Sequence, residues 1–337
     1  MEPTRMDKEN IRIIDVSPFF AGGAGARRVV EEVNATCKDH GFLIITGHGV
    51  PAGTMDGMYR ASRAFFDQPL ERKQECTPPE PDIFRGYMGM ATSGLSYSLG
   101  KSAPPDLREF YITGTVEEMP VEYVRRLDAG NRMPPNIWPA SPPGFRAASE
   151  EYQRAMAALA RRLLALFAAA LELPPGFFDA KVDKSNSFLL TANYPALREA
   201  PLPGQLRAGA HTDFGVLTIL YQDDAPGGLQ VQGRDGGWMD VTPIAGSLVV
   251  NIGDIMAQWT NDVWVSSMHR VVPPPPALAA SSRRQSMTYF FHPNYDAVIE
   301  CLPSCVGPTR SPKYPPTVAH EFAFGKTIKS FDMAVTG

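Results

Sequence analysis

Between Ser187 and Phe291 the chain runs through a succession of short β-type segments, each closed by glycine, proline or aspartate. The segments are Phe188–Tyr194, Gly215–Tyr221, Leu229–Gln232, Trp238–Thr242, Leu248–Ile252, Val263–Ser266, His269–Val272 and Met287–Phe291. About eight strands at this spacing predict a jelly roll or a related sandwich. The run Pro273–Pro276 cannot donate to a ladder and marks a loop between them.

The first half reads differently. Ile11–Val16 and Gly41–Thr46 predict strands, and Ala26–His40 predicts a helix with Val29, Val33 and Cys37 at helical spacing. Ala52–Phe66 and Pro69–Gln74 read as further helices, and Glu109–Thr113 as a short strand. Phe145–Leu173 is the strongest helix. Leu159, Leu163, Leu166, Phe167 and Leu171 share one face, and Pro174-Pro175-Gly176 ends it. Thr77–Pro105 has no period but carries Phe84, Tyr87, Met88, Met90 and Tyr97, too aromatic for a plain linker. It is expected to form a lid or pocket wall. Thr317–Lys329 predicts a C-terminal helix.

The balance of 32 basic against 36 acidic residues, a net charge of −4, argues against nucleic acid or an anionic membrane as partner. The polar N-terminus lacks the apolar stretch of a signal peptide, and the aliphatic run Ala155–Leu173 is interrupted by Arg161 and Arg162. Cys37, Cys76, Cys301 and Cys305 are too scattered for a disulfide framework and are expected to be reduced. These features predict a cytoplasmic protein with no obligate protein partner.

Within the β-rich half, His211-Thr-Asp213 puts an imidazole and a carboxylate on one strand face, because alternate side chains point the same way. His269 arrives from a distant strand. Two histidines and one carboxylate are the ligand set of a non-haem Fe(II) facial triad, which leaves half an octahedron open. Downstream, Arg284 and Ser286 share a strand face and together offer a carboxylate one bidentate and one single contact. Tyr194, in Asn193-Tyr194-Pro195, brings a phenol toward the same anion.

With these residues in place the sequence resembles the isopenicillin N synthase-like branch of the Fe(II)/2-oxoglutarate-dependent dioxygenases. The likeness runs almost from end to end. It is carried by Ile13-Ile-Asp-Val-Ser17, Cys37-Lys-Asp-His-Gly-Phe42, Gly47-His-Gly-Val50, Phe65-Phe66, Lys73 and Pro105-Asp-Leu-Arg-Glu109. It continues through Gly227-Gly-Leu-Gln230, Trp238, Asn251-Ile-Gly-Asp254, Trp259-Thr-Asn261, His269-Arg-Val271 and Arg284-Gln-Ser286.

The resemblance implies a mainly β fold with flanking helices. Its core would be a double-stranded β-helix (jelly roll, cupin-like) over residues 181–300, with a helical N-terminal region over 1–180 wrapped on it and a C-terminal helix and tail over 301–337. It implies Fe(II) at His211, Asp213 and His269, and 2-oxoglutarate at Arg284, Ser286 and Tyr194. O2 would be the oxidant. Decarboxylation of the cosubstrate to succinate and CO2 would drive hydroxylation, desaturation or cyclisation of a small organic, secondary-metabolite substrate. Halogenating relatives lack the carboxylate that Asp213 supplies. Phe84, Tyr87, Tyr97, Phe214 and Phe290 are the expected substrate-pocket residues, and their character suits a partly apolar molecule.

Two departures stand out. Ala192 occupies the place of an asparagine common in the family's Asn-x-Tyr-Pro motif, and no glutamine follows Gly325, where isopenicillin N synthase has one. The alternative is an oxidase that uses no 2-oxoglutarate, since Arg-x-Ser can also anchor a substrate carboxylate. A non-enzymatic ligand-binding barrel would be expected to have lost a metal ligand, and all three are present.

Overall fold

The computed structural model describes residues 11–80, 83–90, 94–96, 103–127 and 133–322. The N-terminal part comprises β1 (Ile13–Asp15), α1 (Ser17–Phe20), α2 (Ala26–Asp39), β2 (Phe42–Thr46), α3 (Ala52–Phe66), α4 (Leu70–Gln74), β3 (Gly86–Met88), β4 (Glu109–Gly114), α5 (Val121–Leu127), α6 (Phe145–Ala170) and α7 (Asp179–Val182). Then follow β5 (Phe188–Tyr194), β6 (Ala208–His211), β7 (Leu217–Gln222), β8 (Leu229–Gln232), β9 (Trp238–Asp240), β10 (Leu248–Ile252), α8 (Asp254–Trp259), β11 (His269–Val271), β12 (Arg284–Phe291), β13 (Val298–Ile299) and β14 (Thr317–Val318).

Two sheets face each other as a jelly roll. The larger has the order β1-β2-β10-β7-β12-β5-β4-β3, and the smaller β6-β11-β8-β9. All neighbouring pairs are antiparallel except β1 with β2. Four strands of the larger sheet come from before residue 180, so the expected boundary there is not an edge of the sheet.

Alternation on the large sheet separates two cores. Leu189, Met287, Tyr289, Ile219 and Val250 turn outward and are covered by α6, α3 and α2. Phe110, Ala192, Tyr194, Leu220 and Val249 turn inward, toward Val231, Leu229 and Val271 of the small sheet. The 26-residue α6 is long because its alanine- and leucine-rich stretch keeps one apolar face in register with the sheet over its whole length.

Three expectations need correction. Val263–Ser266 is not a strand: Trp264 is fully buried, donates its indole N–H to Asn34 and packs edge-on against Phe167. This segment plugs the gap between α2 and α6. Thr317 and Val318 pair with Val298 and Ile299 instead of starting a helix. Helical backbone begins at residue 319 and is described to 322; residues 323–329 of the expected helix lie outside the described residues. Third, the aperiodic stretch before β4 contains a strand, β3, paired with β4. No helix among the described residues is long and apolar enough to cross a membrane. All four cysteines are free thiols.

Candidate metal centre

His211 ends β6 and His269 opens β11, and the two are direct cross-strand partners. Their rings lie 4.2 Å apart, centroid to centroid. Each ring is turned by its own backbone: the Nδ1–H of His211 donates to the Gly209 carbonyl at 2.8 Å, and that of His269 to the Ser267 carbonyl at 3.2 Å. Both Nε2 atoms are thereby left for a shared ligand. Phe42 packs edge-on against His269 at 5.3 Å.

Asp213 completes the group. Its Oδ1 lies 3.7 Å from Nε2 of His211 and 3.5 Å from Nε2 of His269. Its Oδ2 accepts from the Thr218 hydroxyl at 2.6 Å and from the Asn251 amide at 2.7 Å. One oxygen is therefore tied to the large sheet and the other faces the histidines. The three residues present ligand atoms within 4.8 Å of one another, the arrangement that could hold a metal ion.

Electrostatics agree with that donor set. Burial pushes the Asp213 carboxyl up, but the flanking imidazoles and Thr218 outweigh it and hold the group well below the usual carboxylate range. Burial, then the neighbouring His269, pushes His211 below its ordinary value. Burial also works against a charged His269, yet Asp213 reverses this and raises it. A divalent cation bound here would meet an ionised carboxylate and two imidazole nitrogens.

The loop carrying Asp213 is seated on Gly253. A Cβ there would lie 2.2 Å from the Gly215 carbonyl oxygen, and the Asp254 N–H donates to the Asp213 carbonyl at 2.7 Å. Only the missing side chain of Gly253 permits that approach.

Deeper in the barrel, Arg284 is 1% exposed and stands opposite Tyr194 on β5, with its guanidinium carbon 4.9 Å from the centre of the phenol ring. One terminal nitrogen donates to Gln222 at 2.9 Å, while Nη1 is buried without a hydrogen-bond partner. Ser286 follows on the same face, beside Ala192 and Gln222. A buried guanidinium with unspent donors is costly unless an anion meets it. A carboxylate of a small dianion fits that need. The asparagine beside Tyr194 does not reach Arg284: Asn193 points outward, bonding Glu109 and Arg283.

The expected pocket residues divide. Phe290 faces the interior, stacked on Phe188 at 4.7 Å, and Phe188 also stacks on His292 at 5.5 Å. Burial pushes that imidazole down to about 4. Phe84 packs against the inner core, and Phe214 is half-buried beside Asp213. Tyr87 is not in the pocket. It pairs with Tyr111, lies in the outer core against Phe65, and donates its hydroxyl to Glu109 at 2.6 Å. Met88, one residue on, packs against the inner core instead. Tyr97 lies outside the described residues. Thr218 and Gln222 were not singled out from the sequence, and Asn251 only as part of the Asn251-Ile-Gly-Asp254 motif, without a role. Strand parity alone would have placed Thr218 and Gln222 on one face of β7.

A jelly-roll barrel with two imidazoles and one carboxylate converging at its mouth is the architecture of a mononuclear non-haem metal enzyme. Residues 186–293 match the family model of the 2OG-Fe(II) oxygenase superfamily, and residues 11–141 that of the non-haem dioxygenase in morphine synthesis N-terminal region. A 2-oxoglutarate-Fe(II) type oxidoreductase of Emericella nidulans is 33% identical over 327 residues, covering 96% of this chain and 90% of the relative. A 2-oxoglutarate-dependent dioxygenase of Monascus ruber is 36% identical over 296 residues, 84% of each chain. The solved structure of a full-length Neurospora crassa protein in complex with alpha-KG superposes with a TM-score of 0.83 at 30% identity, covering 96% of this chain and 97% of that one. The chain belongs to the 2-oxoglutarate–Fe(II) oxygenase superfamily, enzymes that use Fe(II), 2-oxoglutarate and O2.

Proposed function

We propose that His211, Asp213 and His269 bind the Fe(II), that Arg284, Ser286 and Tyr194 hold 2-oxoglutarate, and that the chain oxidises a small, partly apolar organic molecule beside Phe290. The observation that carries this reading is Arg284: buried, positively charged, and with Nη1 unpartnered, on a strand that faces the triad's barrel. Gln222 and the Tyr194 ring fix the plane of its guanidinium, so its free edge is ready for a carboxylate before any ligand arrives. Ser286 adds a hydroxyl on the same face.

When bound, the iron and its keto-acid supply the oxidising chemistry, with succinate and CO2 as coproducts. The protein's part is placement. Thr218 and Asn251 hold Asp213 to a single free oxygen, and the two Nδ1–H bonds turn both imidazole Nε2 atoms inward. Three protein ligands on one face leave the opposite positions to small molecules. Phe188, Phe290 and His292 form a stacked aromatic wall that suits an apolar or planar substrate body and keeps bulk water from it.

The test is an anaerobic titration of Fe(II)-loaded protein with 2-oxoglutarate, followed by succinate measurement in air. Saturable binding near one equivalent, lost in His211→Ala, is expected, with slow succinate release that rises when a true substrate is added. Oxygen uptake without succinate would sink the 2-oxoglutarate assignment.

A further inference from the structure

Four arginines are buried among the described residues: Arg85, Arg108, Arg207 and Arg284. Arg207 is spent on the carbonyls of Pro195, Pro226 and Ser282 and on the Ser282 hydroxyl. Arg85 donates to the Phe84 carbonyl, and Arg284 to Gln222. The Arg108 side chain alone of the four makes no hydrogen bond to any described residue. Its Nε is fully shielded and unpartnered, and the side chain is only 9% exposed.

Its one acidic neighbour is already in use. Asp106 lies 3.7 Å from Nε of Arg108, but its Oδ1 accepts the Gly209 N–H at 2.9 Å and its Oδ2 the Leu95 N–H at 3.2 Å. That carboxylate is a backbone clamp: it joins the start of β6 to residues 94–96 and, though its charge lies 3.7 Å from Arg108, it accepts none of that side chain's hydrogen bonds. The guanidinium lies over the Phe110 ring, its carbon 4.9 Å from the centroid, and Phe110 belongs to the inner core. The cation therefore sits on the barrel's inside. Its neighbour Asp106 holds the Gly209 N–H, and the Gly209 carbonyl holds Nδ1 of His211, which places the cation on the His211 side of the barrel.

We propose that Arg108 is the recognition point for an anionic group on the substrate, a carboxylate or comparable oxyanion, held beside the His211 edge of the metal centre. This rests on the proposed function above. There, 2-oxoglutarate is held by Arg284, Ser286 and Tyr194, so the cosubstrate leaves the donors of Arg108 unused. The Phe110 stack fixes the plane of the cation and Nε faces Asp106, so the terminal nitrogens, which bond no described residue, are the edge left to capture an oxyanion in a site shielded from water. The substrate class is then an organic acid whose apolar body reaches the Phe188–Phe290 wall.

Phenylacetate and indole-3-acetate, each paired with its primary amide, are suitable probes. Calorimetry on protein loaded with Mn(II) and 2-oxoglutarate gives their affinities in wild type, Arg108→Met and Arg108→Lys. The acids should bind wild type at least tenfold more tightly than the amides. That preference should vanish in Arg108→Met and be partly kept in Arg108→Lys, while 2-oxoglutarate affinity stays within error of wild type. Equal affinity for acid and amide in wild type, or binding of neither, overturns the proposal. So does a preference that survives in Arg108→Met, or a loss confined to 2-oxoglutarate. The cosubstrate titration is read separately, so failure of wild type to bind 2-oxoglutarate counts against the parent reading, while the acid–amide comparison, repeated with Mn(II) alone, still judges Arg108.

Discussion

Asn251 and Thr218 show how much of a metal centre lies beyond its ligands. Both donate to the Asp213 oxygen that turns away from the histidines, so the oxygen left over points one way only. Asn251→Ala should keep the fold but lower Fe(II) affinity by about 10- to 100-fold, the usual range for an outer partner of a metal ligand. Competition with a fluorescent chelator measures it, and an unchanged affinity would show that Thr218 suffices. Arg284→Met removes the cation while keeping most of its volume. It forfeits a charge-assisted contact typically worth about 2–5 kcal/mol, so the 2-oxoglutarate Kd should rise by roughly 30-fold or more. An anaerobic titration showing less than a threefold change would remove Arg284 from the cosubstrate site. The Arg-x-Ser pair was legible in the sequence because spacing of two on a strand fixes a shared face, whereas Asp213, expected on the strand of His211, lies past its end in the loop seated on Gly253. Arg108 was visible only as part of a motif. That its donors meet no acceptor among the described residues is a property of the folded environment, not of the local sequence.

The elements show where sequence reading loses its grip. Tyr87 and Met88 lie side by side on β3, and pairing of Tyr87 with Tyr111 turns the tyrosine outward and the methionine inward. A shift of one residue would exchange them, and nothing in the aperiodic stretch before β4 sets that register. By contrast, Gly253 is forced. The Cβ of Gly253→Ala would stand 2.2 Å from the Gly215 carbonyl, so the loop bearing Asp213 must move. Loss of at least tenfold in Fe(II) affinity together with a lower melting temperature is expected; a variant with native values in both would show that the backbone absorbs the change without disturbing the ligand.

His40, at the junction of α2 and β2, gives an element-level prediction for pH. Its Nδ1 accepts the Phe42 N–H at 3.2 Å, and burial depresses its pKa. In the unfolded chain a histidine takes up its proton near pH 6.5; in the fold His40 resists until lower pH. The stability it contributes is thus fully present above about 6.5 and is lost as pH falls toward the folded value, at up to about 1.4 kcal/mol per pH unit. Urea midpoints at pH 7 and 5.5 should fall less in His40→Gln than in wild type. An identical fall in both proteins would exclude this residue as a source of acid sensitivity.

At the scale of the molecule, the metal centre joins what the two sheets hold apart. His211 and His269 belong to the small sheet, whereas Asp213 is tied by Thr218 and Asn251 to β7 and β10 of the large one. The large sheet in turn is backed by α6 and extended by strands from the N-terminal region, which makes the whole chain one scaffold for the site. The jelly roll was legible from the spacing of strands after Ser187. That β1–β4 complete its larger sheet was not, because the long-range pairings of β2 with β10 and of β4 with β5 leave no local periodicity. A ligand that bridges both sheets in the folded state, and finds no such geometry in the unfolded chain, must stabilise the fold by mass action. At one hundred times its Kd the gain is about 2.7 kcal/mol, which for a chain of this size corresponds to a rise of about 5 °C in melting temperature. Anaerobic melting of metal-stripped protein, then with Mn(II), then with Mn(II) and 2-oxoglutarate, should give two successive increases. His211→Ala should lose the first, and Arg284→Met should keep the first and lose the second. A melting temperature indifferent to metal in the wild type would mean that the three ligands do not close on a cation, and the assignment of the whole barrel mouth would fall with it.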